Sequence, residues 1–463
     1  MKPFRVVSLF SGAGGLDLGF KMSGMYQIIF ANDVNLYATT TYAKNFEMKL
    51  LKCGGLTEAE PNVVLSCDVE KVLFSPLAGE ADVVVGGPPC QDFSIVRGPA
   101  RVGITIKRGR LYAHFIRALA VLQPKAFVFE NVPGLTSANG GLAYKTIIED
   151  FARLNTRWEE VKEIMTQEKI GAGVKGYEIV FSDIVDFAAA GVPQKRERLI
   201  IIGIRRDLIR SAEQIWHARA VIDRALRKTV FAKFPLTPLE VFEGRRLDEL
   251  QEEYREIMEK WRGVWEEVGT ETALMWKQKV WDDLTFDAVQ DYLRLNGVQR
   301  TDSEELDAAF REHEVVLKLL GYYNTPVSLL KLPDGTTDPP DDSTEVVERM
   351  KRIPPGENHE FVKGTKWEVK GRGISLIYRR LHPLIPAYTV VAYGGGGTHG
   401  YHYDRDRATL TLRERARLQT FPDLFLFYGS KTQIRAQIGE AVPPLAAMKI
   451  AETLARILAD FYS

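Results

Sequence analysis

The sequence predicts an α/β protein built on a doubly wound sheet and carrying a second, smaller domain. In the first 200 residues, helix-like segments alternate with short apolar runs: RVVSLF, YQIIFAND, ADVVVGG, KAFVFENV, YEIVFSDIV and RLIIIGI. Near-continuous apolar runs of this kind are typical of strands that are buried on both faces. From about residue 207 to 320 the sequence becomes charged and helix-like, with apolar residues recurring every three or four positions, which indicates an inserted helical subdomain.

Length and composition agree with two domains and leave the partner open. A chain of 463 residues exceeds the roughly 250–300 residues at which a single core stops growing. Lys plus Arg and Asp plus Glu balance at 61 each, so affinity for nucleic acid has to come from local basic patches. No apolar run approaches the length of a membrane span, and the N-terminus lacks a signal-peptide pattern. We therefore expect a cytoplasmic protein without membrane contact.

The three cysteines, Cys53, Cys67 and Cys90, form no CxxC pair, and no histidine cluster has metal-ligand spacing. We therefore expect neither a disulfide scaffold nor a metal site. Cys90 follows Pro88 and Pro89 at the carboxyl end of the strand ADVVVGG, where ligands collect in open α/β sheets. The two prolines remove backbone freedom from the approach to the thiol. A cysteine so placed is either a small buried hydrophobe or a rigidly held nucleophile.

The stretch LFSGAGGLDLGF predicts a ligand-binding turn between the first strand and the first helix. Gly12, Gly14 and Gly15 allow a ligand to approach the backbone closely, and Asp33 follows the second strand, where an acid binds ribose hydroxyls. The loop lacks the Lys followed by Ser or Thr that grips phosphates. A nucleoside with little phosphate is favoured, S-adenosylmethionine above the dinucleotides. The alternative is a glycine-rich turn without any ligand.

Polar residues lie at two further strand ends. Glu130 closes the strand KAFVFENV, and Arg196 and Arg198 come just before RLIIIGI with a spacing that puts both on one face. Taken singly, they are a hydrogen-bonded loop glutamate and two solvated arginines. Taken with Cys90, they match methylation at C5 of cytosine. The thiolate adds to C6, the acid acts at N3, and the arginines hold O2 and the acid.

Six segments in order resemble motifs of the DNA (cytosine-5) methyltransferases: FSGAGGLDLGF, GGPPCQDFS, ENVPG, QKRERLIIIG, RERARLQTFPD and QIGEAVPP. The resemblance covers nearly the whole chain apart from its middle. It implies a Rossmann-like methyltransferase domain with S-adenosylmethionine as cofactor. The implied reaction methylates C5 of a cytosine flipped out of a specific double-stranded DNA sequence, through a covalent bond between Cys90 and C6.

The resemblance also assigns site residues, with Cys90 as the nucleophile and Glu130, Arg196 and Arg198 as its catalytic partners. The cofactor is assigned to residues at strand ends and in the last motif: Phe10, Ser11, Gly12, Gly14, Gly15, Leu16, Asp33, Val34, Asp68, Val69, Pro89, Leu111, Glu440 and Val442. DNA contacts are assigned to the nucleophile motif, the basic loop after it and a later pair: Gln91, Ser94, Arg97, Arg101, Arg108, Thr389 and Val390. The chain departs from the family at Val34, commonly aromatic, and at Glu440, commonly asparagine.

The resemblance further divides the chain into two functional domains. Residues 1–205, with 408–463 packing back onto them, would form the catalytic domain, and 206–407 a target-recognition domain that includes the helical insertion at about 207–320. The insertion itself is expected to be a structural spacer. A monomer acting on double-stranded DNA is expected, and a cognate restriction endonuclease acting on the same site is compatible with this layout. The alternatives are a tRNA cytosine-5 methyltransferase and a non-catalytic DNA-binding regulator.

Overall fold

A computed structural model of the chain describes residues 2–89, 111–155, 159–171, 173–369, 377–393, 397–398 and 400–462. By the proximity of their Cα atoms, the residues form two compact units. The first unit comprises Met1–Ala190, Glu197–Lys228 and Ala441–Ser463. The second comprises Gly191–Arg196 and Thr229–Glu440.

The strands follow the apolar runs of the first 205 residues. They are β1 (Phe4–Leu9), β2 (Tyr26–Asp33), β3 (Lys49–Lys52), β4 (Thr57–Glu58), β5 (Val63–Ser66), β6 (Val72–Leu73), β7 (Val83–Gly86), β8 (Ala126–Asn131), β9 (Tyr177–Asp186) and β10 (Glu197–Arg205). In the described part of the chain, eight of them form one sheet in the order β3-β5-β2-β1-β7-β8-β10-β9, and β4 pairs with β6 separately.

The sheet is parallel from β3 to β8, and β10 runs antiparallel to both β8 and β9. The strand order reverses at β1, which pairs with β2 on one side and β7 on the other. The carboxyl ends of β1 and β7 therefore form the topological switch point at which open α/β sheets bind ligands. The glycine turn follows β1, and the two prolines follow β7.

The helices alternate with the strands in the first unit and dominate the second. They are α1 (Gly15–Met22), α2 (Leu36–Phe46), α3 (Leu111–Leu122), α4 (Leu142–Arg153), α5 (Glu159–Met165), α6 (Ala212–Arg227), α7 (Pro238–Glu243), α8 (Gln251–Glu259), α9 (Val264–Val268), α10 (Glu271–Trp276), α11 (Ala288–Leu295), α12 (Ser303–Leu319), α13 (Thr344–Met350), α14 (Leu412–Leu418), α15 (Lys431–Glu440) and α16 (Pro444–Tyr462). None in the described part of the chain is both long and apolar enough to cross a membrane.

The C-terminal helix α16 packs on α1 in the first unit. A Cβ on Gly19 of α1 would lie only 2.4 Å from the Cβ of Ala447, so the two helices approach at a position that only glycine permits. The hydroxyl of Tyr26 donates a hydrogen bond to the carbonyl of Ala451 at 2.9 Å. The last helix is therefore part of the core that supports the glycine turn.

A disulfide joins Cys53 to Cys67, a single bridge that the expectation of no disulfide scaffold did not include. The two cysteines are 14 positions apart in sequence, so spacing gives no sign of the pairing. They meet because β3 and β5 are parallel neighbours in which Lys52 pairs with Ser66. Each cysteine is the next residue along its strand, and their Cα atoms lie 5.5 Å apart, within the range that a disulfide requires.

The second unit has a core rich in tryptophan. Side chains from the helical segment and from the residues that follow it are buried together: Trp261, Trp265, Trp276, Trp281, Met350, Ile353, Phe361, Ile377, Tyr378 and Tyr401. Aromatic pairs within this cluster include Trp265 with Trp281, whose ring centroids are 5.2 Å apart. The amphipathic pattern of the helical segment is thus accounted for by core packing.

The boundaries of the two units differ from the predicted domain boundaries at three places, of which the first is Gly191–Arg196 in the second unit. Helix α6 packs on β9 and α16 in the first unit, where Arg227 pairs with Asp183 at 2.9 Å. Residues 408–440 belong to the second unit, where Arg413 of α14 pairs with Asp334 at 2.9 Å. Periodicity identifies a helix but not the core that the helix joins. That catalysis and target recognition divide between these units stays a prediction.

Candidate active site

The turn between β1 and α1 has the open backbone that a ligand site requires. Phe10 and Gly12 have φ of 55° and 54°, and Gly14 has φ of 94°. A Cβ on Gly12 would meet none of the described atoms within 4 Å, so one side of the turn is open. A Cβ on Gly14 would lie 2.6 Å from the Phe46 ring, so this glycine is needed for packing on α2. The glycines of the motif therefore have different tasks.

Asp33, at the end of β2, is held against this turn. Its Oδ2 accepts a hydrogen bond from the backbone N–H of Gly12 at 2.9 Å, and Oδ1 accepts one from Asn35 at 2.8 Å. Burial raises the pKa of Asp33, and these backbone hydrogen bonds oppose the shift. A carboxylate has about four acceptor sites, so two remain for further donors such as ribose hydroxyls. The neighbouring Val34 is 72% exposed and offers an apolar surface.

Asp68 and Val69 follow β5, beside the end of β2. Asp68 is exposed and caps a short helical turn by accepting the N–H of Glu70 at 3.1 Å, whereas Val69 is buried. The N–H of Cys67 donates to the carbonyl of Asp33 at 2.9 Å, so the two acids stand at neighbouring strand ends. The predicted ribose and adenine contacts are thus brought to one edge of the sheet.

A buried ion pair supports the segment that follows β5, and sequence reasoning did not predict it. Arg117 of α3 pairs with Glu168 at 2.8 Å, with both side chains fully buried. Arg117 also donates to the carbonyl of Val69 at 2.8 Å, and Glu168 accepts the N–H of Phe74 at 3.0 Å. The apolar pattern of α3 gave one signal, since an arginine on an otherwise buried helix needs a partner.

The segment Gly86–Gly87–Pro88–Pro89 after β7 packs tightly against its neighbours. A Cβ on Gly86 would lie 2.5 Å from the carbonyl oxygen of Leu9, and a Cβ on Gly87 would lie 2.7 Å from Oε2 of Glu130. The backbone therefore approaches β1 and the glutamate more closely than any larger residue would allow. Pro88 is buried and Pro89 is exposed, directly before Cys90 in sequence.

Glu130 and Arg198 form an ion pair on the first unit's sheet. Nε of Arg198 lies 2.9 Å from Oε1 of Glu130, and both side chains are largely buried. The pair spans the antiparallel strands β8 and β10, in which Ile200 lies opposite Glu130. Next to it, Nδ2 of Asn131 donates to the carbonyl of Pro88 at 3.1 Å. Asn131 is a second residue that sequence reasoning missed, although its place at a strand end beside Glu130 was a signal.

Arg196 donates hydrogen bonds to two backbone carbonyls of the second unit. It is 1% exposed, and its two Nη atoms donate to the carbonyls of Val390 at 3.1 Å and Gly439 at 2.9 Å. The backbone N–H of Val390 donates to Oε1 of Gln194, and the exposed Thr389 donates through Oγ1 to the carbonyl of Lys195. Arg196 therefore positions the predicted DNA-contacting pair, and its catalytic assignment stays a prediction.

The remaining assigned residues are distributed over both units. Gly15 and Leu16 begin α1 and are buried, Leu111 begins α3, Val442 is buried before α16, and Glu440 ends α15 in an exposed position. Several assignments lie outside the described residues: Cys90, Gln91, Ser94, Arg97, Arg101 and Arg108. The described part of the site thus comprises the residues around the cysteine motif and not the cysteine itself.

Comparison with known proteins decides the family. The sequence profile of the C-5 cytosine-specific DNA methylases matches residues 4–456. The chain belongs to this family. It is 64% identical over 466 residues to the DNA (cytosine-5-)-methyltransferase M.ApeKI of Aeropyrum pernix, which covers 99% of each chain. It is 31% identical to the type II methyltransferase M.NgoFVII of Neisseria gonorrhoeae, over 99% of this chain and 88% of that relative.

These matches confirm the resemblance drawn from the six motifs and the enzyme class it implied, a DNA (cytosine-5-)-methyltransferase. A solved structure of a prophage-encoded E. coli protein, described as a DNA modification methyltransferase, covers 98% of this chain and 99% of its own. Its TM-score is 0.54 at 21% identity. This likeness confirms the predicted fold class, a Rossmann-like methyltransferase sheet.

Proposed function

We propose that this methyltransferase transfers the methyl group of S-adenosylmethionine to C5 of a cytosine flipped out of a specific double-stranded DNA sequence, with Cys90 bonding to C6. The observation that carries the proposal is the Glu130–Arg198 pair, 2.9 Å apart, packed against Gly87 just ahead of the cysteine in sequence. An acid held by a guanidinium beside a proline-fixed approach is what addition to a cytosine ring needs.

The residues at the switch point fit S-adenosylmethionine. Asp33 keeps acceptor capacity for ribose hydroxyls, and the open side of Gly12 leaves room beside the turn. Asp68 is exposed for an adenine amino group, and Val34 offers apolar surface to the ring. When bound, S-adenosylmethionine supplies an electrophilic methyl group. The chain's own residues activate the base that accepts it.

The Cys90 thiolate attacks C6 of the extruded cytosine and forms the Sγ–C6 bond, and the ring electrons move toward N3. Glu130 enters this step as a carboxylic acid and donates a hydrogen bond or its proton to N3 as this charge develops, and N3 returns the proton when the ring is restored. Arg198 holds the carboxyl group in place. C5 is thereby an enamine carbon, able to accept a methyl group. Afterwards a base removes the C5 proton, the Sγ–C6 bond breaks, and the cysteine leaves as a thiolate.

Extrusion of the base costs a few kcal/mol, which contacts to the DNA must offset. We assign target recognition to the second unit, where Thr389 is exposed on a segment braced by Gln194 and Arg196. The relatives M.ApeKI and M.NgoFVII support a modification enzyme of a restriction-modification system. A monomer in the cytoplasm, with a cognate endonuclease that recognises the same sequence, completes this proposal.

Base-resolution mapping of 5-methylcytosine tests the proposal. The wild type, Cys90→Ala and Glu130→Gln are each expressed in a host whose DNA lacks this modification. We expect methylation in one short sequence context with the wild type, none with Cys90→Ala, and strongly reduced methylation with Glu130→Gln. Unmethylated DNA from folded wild type that binds S-adenosylmethionine would contradict the proposal. Transfer to tRNA in the same cells would then identify RNA as the substrate.

A further inference from the structure

Helix α14 carries three arginines at alternate positions, and they differ in their partners. Arg413 pairs with Asp334 at 2.9 Å, and Nε of Arg417 donates to Asp423 at 3.1 Å. Arg415, between them, is 2% exposed, and its Nη1 has no hydrogen-bond partner among the described residues. A buried guanidinium without a carboxylate is costly, because its lost hydration is not replaced.

Among the described residues of the second unit, no carboxylate pairs with Arg415. Its undescribed residues are 370–376, 394–396 and 399, and their sequence, KGRGISL, GGG and H, contains neither Asp nor Glu. A second cation, the half-buried Arg435 of α15, acts on Arg415, and the phenol of Tyr401 acts in the opposite direction. Burial and then this like charge lower the pKa of Arg415 to about 10. The two arginines are thus neighbours, and no carboxylate of the described residues lies between them.

Helix α15 links Arg435 to the segment of the second unit already assigned to DNA. Arg435 and Gly439 are four positions apart on α15 and share a helix face. A Cβ on Gly439 would lie 2.2 Å from the backbone nitrogen of Ala392, two residues beyond Val390. Helix α15, which carries Arg435, therefore packs against the segment that contains Thr389.

We propose that Arg415 and Arg435 form a subsite for one phosphate group of the DNA backbone. The inference rests on the proposed function, since that function brings a duplex to the second unit. A phosphodiester carries the missing negative charge and accepts two N–H donors from a guanidinium in parallel. The subsite would position the duplex without reading its sequence, as phosphate contacts do.

The test is the salt dependence of duplex binding, measured well below the unfolding temperature. A fluorescein-labelled 40-base-pair duplex containing the methylated sequence is titrated with wild type and Arg415→Met at several NaCl concentrations. Each phosphate contact contributes about 0.9 to the slope of log K against log salt. We expect Arg415→Met to reduce the slope by about 0.9 and to weaken binding on the order of tenfold at low salt. Arg435→Gln should reduce the slope in the same direction.

Unfolding temperatures separate this role from a structural one. Arg415→Met removes a buried charge that lacks a partner, so the unfolding temperature of the free protein should stay the same or rise. The matched control Arg413→Met leaves the buried carboxylate of Asp334 without its counter-charge, so it should lower the unfolding temperature and leave the salt slope unchanged. A lower unfolding temperature for Arg415→Met with an unchanged slope would overturn the inference.

Inorganic phosphate distinguishes the source of the anion. If millimolar phosphate stabilises the wild type but not Arg415→Met, and the duplex slopes are equal, then the subsite binds a free anion and the DNA assignment is wrong. Wild type that binds no duplex at all would refute the proposed function together with the inference. If the wild type binds and methylates DNA but its binding has the same salt slope as that of Arg415→Met, the inference is refuted and the proposed function stands.

Discussion

The carboxyl group of Glu130 can occupy its position because residue 87 lacks a side chain. The substitution Gly87→Ala tests whether catalysis depends on this position of the carboxyl group. A Cβ at residue 87 would lie 2.7 Å from Oε2 of Glu130, whereas ordinary contact begins at 3.4 Å. The carboxyl group must therefore move by about 0.7 Å, which disturbs its 2.9 Å contact with Arg198. A misplacement of 1 Å costs about a hundredfold in rate, so we expect kcat to fall between about ten- and a hundredfold.

The matched control is the adjacent substitution Gly86→Ala. Its Cβ would lie 2.5 Å from the carbonyl oxygen of Leu9, on the strand with which Gly86 is paired. A backbone atom in the middle of a sheet cannot retreat as a side-chain carboxyl group can. We expect Gly86→Ala to lower the free energy of unfolding by about 3 kcal/mol and Gly87→Ala by less than about 1 kcal/mol.

Two assays separate these outcomes: denaturant unfolding, and the initial rate of transfer of a tritiated methyl group to duplex DNA. Gly87→Ala with the kcat of the wild type would refute the argument that Glu130 must occupy this position. Equal destabilisation by the two substitutions would show that the carboxyl group does not relieve the clash.

Three further predictions concern the supports of the site. Burial raises the pKa of Asp17, which accepts a hydrogen bond from Ser8 at 2.8 Å, from 3.8 to about 7. The folded state then keeps a proton that the unfolded chain releases, so between pH 4 and 7 Asp17→Asn should gain about 4 kcal/mol of unfolding free energy relative to the wild type; parallel pH profiles would contradict this. Cys53→Ser should cost about 3 kcal/mol by opening a loop of this size, and dithiothreitol should then destabilise only the wild type. Asn131→Ala should lower kcat about tenfold, with an unchanged KM for S-adenosylmethionine, because it releases the carbonyl of Pro88; a raised KM alone would point to the cofactor edge instead.

The sequence by itself determined the fold class and the edge of the sheet at which the site lies. Strands buried on both faces must be apolar throughout, so the runs that form β1, β7 and β8 could be recognised as strands without any tertiary information. The carboxyl ends of parallel strands meet at one edge, which is why Cys90 and Glu130 could be predicted to share one cleft. The order of the motifs identified the family for the same reason, since each motif is a local feature of the chain.

Only the tertiary structure decided which residues touch across long stretches of chain. Strand register brought Cys53 to Cys67 and Arg198 to Glu130, while Arg196, two positions earlier, bonds to carbonyls of the second unit. Helix α6 packs within the first unit and residues 408–440 pack within the second, whereas the predicted domain boundaries placed them the other way round. A local pattern records how apolar a face is, but partners are chosen by packing and by the need of each buried charge for a counter-charge. The sequence therefore gives no sign that Arg415 is buried without a carboxylate partner, and only the fold shows it.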